Sequence, residues 1–175
     1  MPQNIYYDIE PGRREHIPIL GAIELAASSI FPPGALPDFA CQEVTPQHYF
    51  QEALAQGNFW VALHEGEPVG YSLLRFIPSS TGLLALLAQI DVHPEHARRG
   101  LGRRLVLAAA DKSRAGGYSW LYLTTFGSIP WNAPFYSRLG FVELSENAIP
   151  ESVEAILREE REAGFKNRVA MRLEL

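Results

Sequence analysis

Two glycines and four arginines follow closely on an apolar run in the middle of the chain. The run ends with Ile90-Asp91-Val92, and after a short loop the chain continues as Arg98-Arg99-Gly100-Leu101-Gly102-Arg103-Arg104. A helix that begins at these glycines has unpartnered amide groups in its first turn, and such groups attract an anion. Glycine lets a phosphate approach the backbone, and the guanidinium groups of Arg98, Arg99 and Arg103 match phosphate geometry. The segment therefore predicts a pyrophosphate site.

The kind of phosphate ligand is not specified by these residues alone. A dinucleotide-binding fingerprint requires a third glycine where this sequence has Leu105, and the Gly-Lys-Ser/Thr ending of a P-loop is absent. The same glycines also suit an ordinary helix start, and the arginines are compatible with a solvated helix face. An anion site and a plain helix start both stay open at this point.

Tyr136 lies in a second segment, about 35 residues further along the chain. The sequence Phe135-Tyr136-Ser137-Arg138-Leu139-Gly140-Phe141 predicts a short helix that carries the tyrosine and ends at a glycine, followed by a strand. Taken alone, Tyr136 is compatible with a core tyrosine as well as with an acid.

Alternating elements surround both segments. Strands are expected at 5–9, 59–64, 69–76, 83–92, 120–125, 141–144 and 168–173. Helices are expected at 17–30, 99–115, 130–139 and 151–163. A further helix is expected to start at an N-cap at Thr45, with Pro46 in its first turn, and to end at Gly57. A loop is expected at 77–82. This order predicts an α/β (α+β) protein with a mixed sheet and helices on its faces, in a single domain over residues 1–175.

The composition narrows the class of protein. The chain has 175 residues, is 47% hydrophobic and carries a net charge of -5, which argues against nucleic acid as a partner. The longest apolar stretch, 83–88, is too short to cross a membrane, and residues 1–8 do not resemble a signal peptide. Cys41 is the only cysteine, so no internal disulfide forms. We therefore expect a cytoplasmic protein.

The two segments together resemble the GNAT superfamily of acetyl-CoA-dependent N-acetyltransferases. Residues 97–102 are similar to its Gln/Arg-x-x-Gly-x-Gly/Ala pyrophosphate motif, and residues 135–141 to its Leu/Phe-Tyr-x-x-x-Gly-Phe signature. The resemblance implies a GNAT-like mixed sheet of about seven strands. It also implies transfer of the acetyl group of acetyl-CoA to an amine, which is a small molecule, a protein N-terminus or a lysine, without a metal.

The resemblance also implies a role for each matched residue. Ile90, Asp91 and Val92 would lie along the pantetheine arm on a strand that splays from its neighbour, with an amide near Val92 at the oxyanion. Tyr136 would protonate the leaving thiolate. The pyrophosphate would be bound by the amides of Arg99, Gly100, Leu101, Gly102 and Arg103, with Arg98 beside them.

Several positions depart from the family pattern. Ala97 replaces the leading Gln or Arg, and Gln89 replaces a glutamate that is common on the splayed strand. Asp91 shares a strand face with Gln89, and it is either a proton relay or a structural carboxylate. His93 is expected to be a turn residue. Asn132, near the second segment, either bonds the cofactor or caps the short helix.

Two further interpretations remain. Because the glutamate is absent, the protein is alternatively a non-catalytic acyl-CoA-binding module, and the anion site also suits a nucleotide. The acceptor is not specified. The first helices offer aromatic residues that are either acceptor-pocket walls or plain core, namely Phe31, Phe39, Tyr49 and Phe50. The last strand pairs either within the chain or across a homodimer.

Overall fold

The computed structural model describes residues 6–175, which form a seven-stranded sheet flanked by five α-helices. Ile5, the predicted start of the first strand, lies outside the described residues. The strands are β1 (Tyr7–Pro11), β2 (Phe59–His64), β3 (Glu67–Ser79), β4 (Gly82–Val92), β5 (Trp120–Phe126), β6 (Val142–Glu143) and β7 (Arg168–Glu174). The helices are α1 (Ile17–Ser28), α2 (Gln47–Gln56), α3 (Leu101–Ala115), α4 (Ala133–Arg138) and α5 (Glu151–Glu162).

The strands lie in the order β1-β2-β3-β4-β5-β7-β6. Only the β4–β5 pair is parallel; the other neighbouring strands of this sheet are antiparallel. The predicted mixed sheet with flanking helices is confirmed. The last strand, β7, pairs with β5 and β6 of the same chain.

The β3–β4 hairpin is longer than the sequence suggested. The predicted loop at 77–82 is wrong for most of its length, because β3 continues to Ser79 and β4 begins at Gly82. Ile77 is buried against α5, which extends the strand, and only Ser80 and Thr81 remain for the turn.

Each face of the sheet is covered by its own helices. Leu74 of β3 and Leu121 of β5 pack in one core cluster with residues of α3 and α4. On the opposite face, Leu73 packs with residues of α1 and α2, and Tyr122 packs with residues of α5. The longest of the described helices has 15 residues, and none of them is both long and apolar enough to span a membrane.

An irregularity in β4 opens the middle of the sheet. Leu87 pairs with Leu74 and Gln89 pairs with Leu73, so Ala88 is an extra residue without a partner on β3. A bulge of this kind bends its strand and increases the local twist. Accordingly β4 pairs with β5 only at residues 85 and 86, while β3 follows it to Val92. The two central strands therefore splay apart.

The bulge also determines which side chains face each helix layer. Gln89 and Asp91 lie opposite Leu73 and Tyr71, so they point towards α1 and α2. Ile90 and Val92 contact the core cluster that contains residues from the first turns of α3. Two polar side chains are thereby directed into the opening rather than into the α3 core.

Candidate active site

The opening between β4 and β5 contains two adjoining cavities, of about 500 and 270 Å³. The larger is lined by the end of α1, the end of β4, the start of α3 and the segment around α4. The smaller is lined by α1, β4, β5, α5 and the start of β7. The residues common to both walls are Phe31, Ile90, Asp91, Asn132 and Tyr136.

One end of the larger cavity is the start of α3. Gly100 is the N-cap residue and has φ 76°, and Arg98 has φ 57°. The first helical hydrogen bond runs from the Arg104 amide to the Gly100 carbonyl at 3.1 Å. In the part of the chain that the structure describes, no backbone carbonyl accepts a hydrogen bond from the amides of residues 98–103. These amides therefore have no backbone partner and could bind an anion, which stays a prediction.

The two glycines have different structural roles. A Cβ at Gly100 would meet nothing within 4 Å, so its side faces open space at the cavity. A Cβ at Gly102 would lie 3.3 Å from Cζ of Phe135. Gly102 therefore allows α3 to pack closely against α4, a role that the sequence argument about phosphate approach missed.

The three arginines expected at the anion site do not all face the larger cavity. Arg98 and Arg103 line the larger cavity together with Leu101. The Arg99 guanidinium instead lies over the ring of Tyr7, 5.6 Å from its centroid, and Arg99 is not among the residues that line the cavity. The side chain of Arg99 was expected to add charge at the anion site, but it contributes to the outer edge of the sheet.

The backbone of β4 beyond the bulge presents a free edge. The His93 amide donates to the Val69 carbonyl at 2.8 Å, so this residue faces β3. Because backbone groups alternate in an antiparallel pair, the amides of Ile90 and Val92 point away from β3, towards the opening left by β5. This edge suits an extended ligand arm or a carbonyl oxygen placed beside it.

Asp91 is held at the shared wall by two donors. The Gln89 amide donates to its Oδ2 at 2.7 Å, and the Tyr71 hydroxyl donates to the same oxygen at 3.0 Å. The pKa of Asp91 is raised to about 7, mainly by burial and also by the nearby Glu24 charge, while the two hydrogen bonds oppose the shift. A carboxylate with a pKa near the working pH is suited to accept a proton.

Glu24, on α1, was not identified from the sequence. Its Oε1 and Oε2 lie 3.4 Å from the Gln89 amide nitrogen and the Tyr71 hydroxyl. It also accepts hydrogen bonds from the amide and hydroxyl of Thr45, at 2.8 and 2.9 Å. The predicted N-cap role of Thr45 is therefore wrong: α2 begins at Gln47 after Pro46, and the threonine instead ties the loop to α1.

Tyr136 is buried within α4 and packs edge-on against Phe135 and Phe141. Burial raises the pKa of its hydroxyl, and the charge of Asp91 adds to the shift. The hydroxyl therefore stays protonated at neutral pH, as a proton donor must.

Asn132 precedes α4 but does not cap it with its side chain. Its Oδ1 accepts a hydrogen bond from the Thr125 hydroxyl at 2.8 Å, which ties the start of α4 to β5. His93 accepts a hydrogen bond from the Glu95 amide through Nδ1, at 3.3 Å. Within residues 6–175, no cluster of three or more His, Cys, Asp or Glu side chains is placed to hold a metal ion.

Known proteins resemble this chain in sequence and in fold. Over 80 residues it is 34% identical to the mycothiol acetyltransferase of Amycolatopsis mediterranei (strain U-32), a match that covers 46% of this chain and 26% of that protein. The fold is similar to that of the N-acetylglutamate synthase of Neisseria gonorrhoeae complexed with coenzyme A and N-acetyl-glutamate, with a TM-score of 0.72 and 20% identity. That superposition covers 99% of this chain and 36% of the synthase chain.

A second solved structure matches along its whole length. The PaiA N-acetyltransferase of Thermoplasma acidophilum in complex with coenzyme A has a TM-score of 0.69 and 14% identity, and the match covers 98% of this chain and 100% of that one. At these identities the superpositions show a shared fold. The sequence model of the Acetyltransferase (GNAT) family matches residues 28–141, more than half of the chain. The protein therefore belongs to the Acetyltransferase (GNAT) family.

Proposed function

We propose that the protein is an acetyl-CoA-dependent N-acetyltransferase in which Tyr136 is the general acid and Asp91 the general base. The observation that carries the proposal is the wall shared by the two cavities, because both side chains lie on it. A transfer between two substrates needs both reacting groups at one point, and holding them there removes up to ~7–11 kcal/mol of the barrier in ideal cases.

The larger cavity has the features that coenzyme A requires. The free amides at the start of α3, with Arg98 and Arg103 beside them, suit its pyrophosphate, and the open side of Gly100 leaves room for close approach. The free edge of β4 suits the amide groups of the pantetheine arm. Two similar solved structures contain coenzyme A, which supports this assignment.

The proposed reaction proceeds by direct transfer. When bound, acetyl-CoA supplies an activated acyl group as a thioester. Asp91 takes a proton from the acceptor ammonium, whose nitrogen then forms a bond with the carbonyl carbon as the carbon–sulfur bond breaks. Tyr136 gives its proton to the departing sulfur, and the Val92 amide donates to the carbonyl oxygen as it gains negative charge. Of the two protons lost from nitrogen, one reaches solvent through Asp91 and the other replaces the one given to sulfur.

The non-catalytic alternative rested on the missing glutamate at position 89. The surroundings of Asp91 favour the catalytic alternative, because Gln89 donates to Asp91 at 2.7 Å and burial raises the pKa of that carboxyl to about 7. In this proposal the base lies two residues further along the strand than the common glutamate.

Calorimetry and an amine panel test the proposed function. We expect coenzyme A to bind with a Kd in the micromolar range and ATP to bind at least about tenfold more weakly, because ATP offers nothing to the β4 edge. Ligand at 100 times its Kd would raise the free energy of unfolding by about 2.7 kcal/mol. Absence of coenzyme A binding at millimolar concentration, or binding without acetylation of any amine, would contradict the proposal.

Replacement of Gly100 by alanine tests the proposed pyrophosphate site at the start of α3. The left-handed conformation costs alanine roughly 1–2 kcal/mol, and its Cβ projects into the space at the cavity. We expect about a tenfold rise in the Kd for coenzyme A. Gly117 is the matched control, since it has φ 80°, has nothing within 4 Å and lines neither cavity. Both variants should lose similar stability, and equal coenzyme A affinities in the two would exclude Gly100 from the site.

A further inference from the structure

The smaller cavity has one end that is electrically neutral. Arg168 donates through Nε and Nη2 to the two carboxylate oxygens of Glu160, each at 2.9 Å, and the Thr124 hydroxyl donates to Glu160 at 2.7 Å. Both members of this ion pair are largely buried. Their charges cancel and their hydrogen bonds are made within the protein, so this end does not select for a charged ligand.

The other end carries an excess of negative charge. Glu24 and Asp91 share two donors, Gln89 and Tyr71, whose polar atoms lie 2.7 and 3.0 Å from the Asp91 carboxylate and 3.4 Å from that of Glu24. Among the described residues that line this cavity, Arg168 is the one cationic side chain, and Glu160 already neutralises it. Two adjacent carboxylates in a partly buried site attract a cation and repel an anion.

We propose that Glu24 and Asp91 together form an ammonium-binding site for the acceptor, and that the acceptor is a cationic amine without a carboxylate beside its amino group. The inference rests on the proposed acetyltransferase function, because it assigns the substrate class of that site. An ammonium group has three donors and so serves both carboxylates at once. An α-amino acid would bring a third carboxylate against these two.

The other residues that line the smaller cavity indicate which kind of group the amine carries beyond its ammonium. The rings of Phe31, Phe126 and Phe165 line the cavity beside aliphatic side chains. The Arg168 guanidinium covers two of these rings, with 4.5 Å to the Phe126 centroid and 5.6 Å to the Phe165 centroid. A volume of about 270 Å³ matches the size of a short amine. The cavity therefore suits a short alkyl or aralkyl amine with an apolar body.

Matched pairs of acceptors test the substrate class. Phenethylamine and phenylalanine differ by one carboxylate, as do 3-methylbutylamine and leucine. We expect kcat/KM at pH 8 to favour the amine of each pair at least tenfold. Glu24→Gln keeps the shape of the side chain but removes its charge, and we expect it to raise KM for the amine about tenfold and to reduce the preference.

Thr45→Val is the control for a purely structural role of Glu24. It removes the hydroxyl donor to Glu24 and leaves the carboxylate charge in place. We expect this variant to retain the amine preference. If it loses the preference as fully as Glu24→Gln does, the loop contact rather than the charge determines selectivity, and the proposal is wrong.

Binding without acetyl-CoA separates this inference from the proposed function. Calorimetry with phenethylamine and phenylalanine needs no turnover. We expect wild type to bind phenethylamine the more tightly and Glu24→Gln to weaken that binding at least fivefold. Binding of this kind without acetylation would refute the proposed function but support the ammonium site. Acetylation or binding that is indifferent to Glu24, or failure of wild type to bind phenethylamine, would overturn the ammonium site.

Discussion

Tyr136→Phe is expected to lower kcat by about 10²- to 10³-fold while leaving the affinity for coenzyme A unchanged. The substitution removes only the hydroxyl, because the phenylalanine ring keeps the contacts with Phe135 and Phe141. A positioned general acid contributes typically 10²–10⁴-fold to a rate. Steady-state kinetics with a saturating amine, together with calorimetry for coenzyme A, measures both quantities.

A second tyrosine provides the control. Tyr122 is also buried, but it packs against α5 and lines neither cavity. Tyr122→Phe should therefore leave kcat within about twofold of wild type. If Tyr136→Phe is as active as this control, the departing sulfur is protonated by another group and the role given to Tyr136 is wrong.

Asp91→Asn is expected to lower kcat/KM at pH 8 by about 10²-fold or more and to remove one limb of the pH profile. In wild type the base must be ionised, so log kcat/KM should rise with pH and level off above a pH of about 7, the pKa of Asp91. Asparagine keeps the shape and an acceptor oxygen for Gln89 and Tyr71 but cannot take a proton. A wild-type profile without inflection near neutral pH, or a variant that retains it, would assign the limb to another group.

The same substitution has a stability signature that needs no acceptor. The pKa of Asp91 is raised from 3.8 to about 7, so the folded protein holds a proton that the unfolded chain releases. The resulting decrease in the free energy of unfolding is absent below pH 3.8, grows as the pH rises to 7 and is complete above it. We therefore expect Asp91→Asn to melt a few degrees above wild type at pH 8, with the difference shrinking towards pH 4. A difference in Tm between the variant and wild type that stays constant with pH would contradict a raised pKa of Asp91.

Most of the fold follows from local sequence patterns. The apolar run of β4, the helical spacing of α3 and the glycines that end α2 and α4 each depend on residues close together in the chain. The proposed pyrophosphate segment and the Tyr136 segment are also contiguous, which is why a sequence pattern is enough to predict both. Of the four aromatic residues named as wall or core, Phe31 lines both cavities and Phe50 is fully buried in the core.

The proposed acceptor side of the site could not be predicted from the sequence for the most part. Glu24 and Asp91 are brought together across the α1–sheet interface, and no local pattern around Glu24 marks it among the acidic residues of the chain. The cap role of Thr45 was misjudged, and the packing role of Gly102 was missed, for a related reason. Thr45 suits a local cap motif but contacts α1, and Gly102 lies against α4 as well as lining the larger cavity.

Ala88 gives the site a dependence on chain length that residue identity does not reveal. Ala88 and Gln89 both lie opposite Leu73, on the face that packs against α1 and α2. Deleting Ala88 would leave Leu87 opposite Leu74 and Gln89 opposite Leu73, so Asp91 would stay beside Tyr71. The deletion would instead remove the bend at which β4 leaves β5 after residue 86. All the proposed active residues would keep their faces, but the strands would lose the gap that an acetyl donor needs.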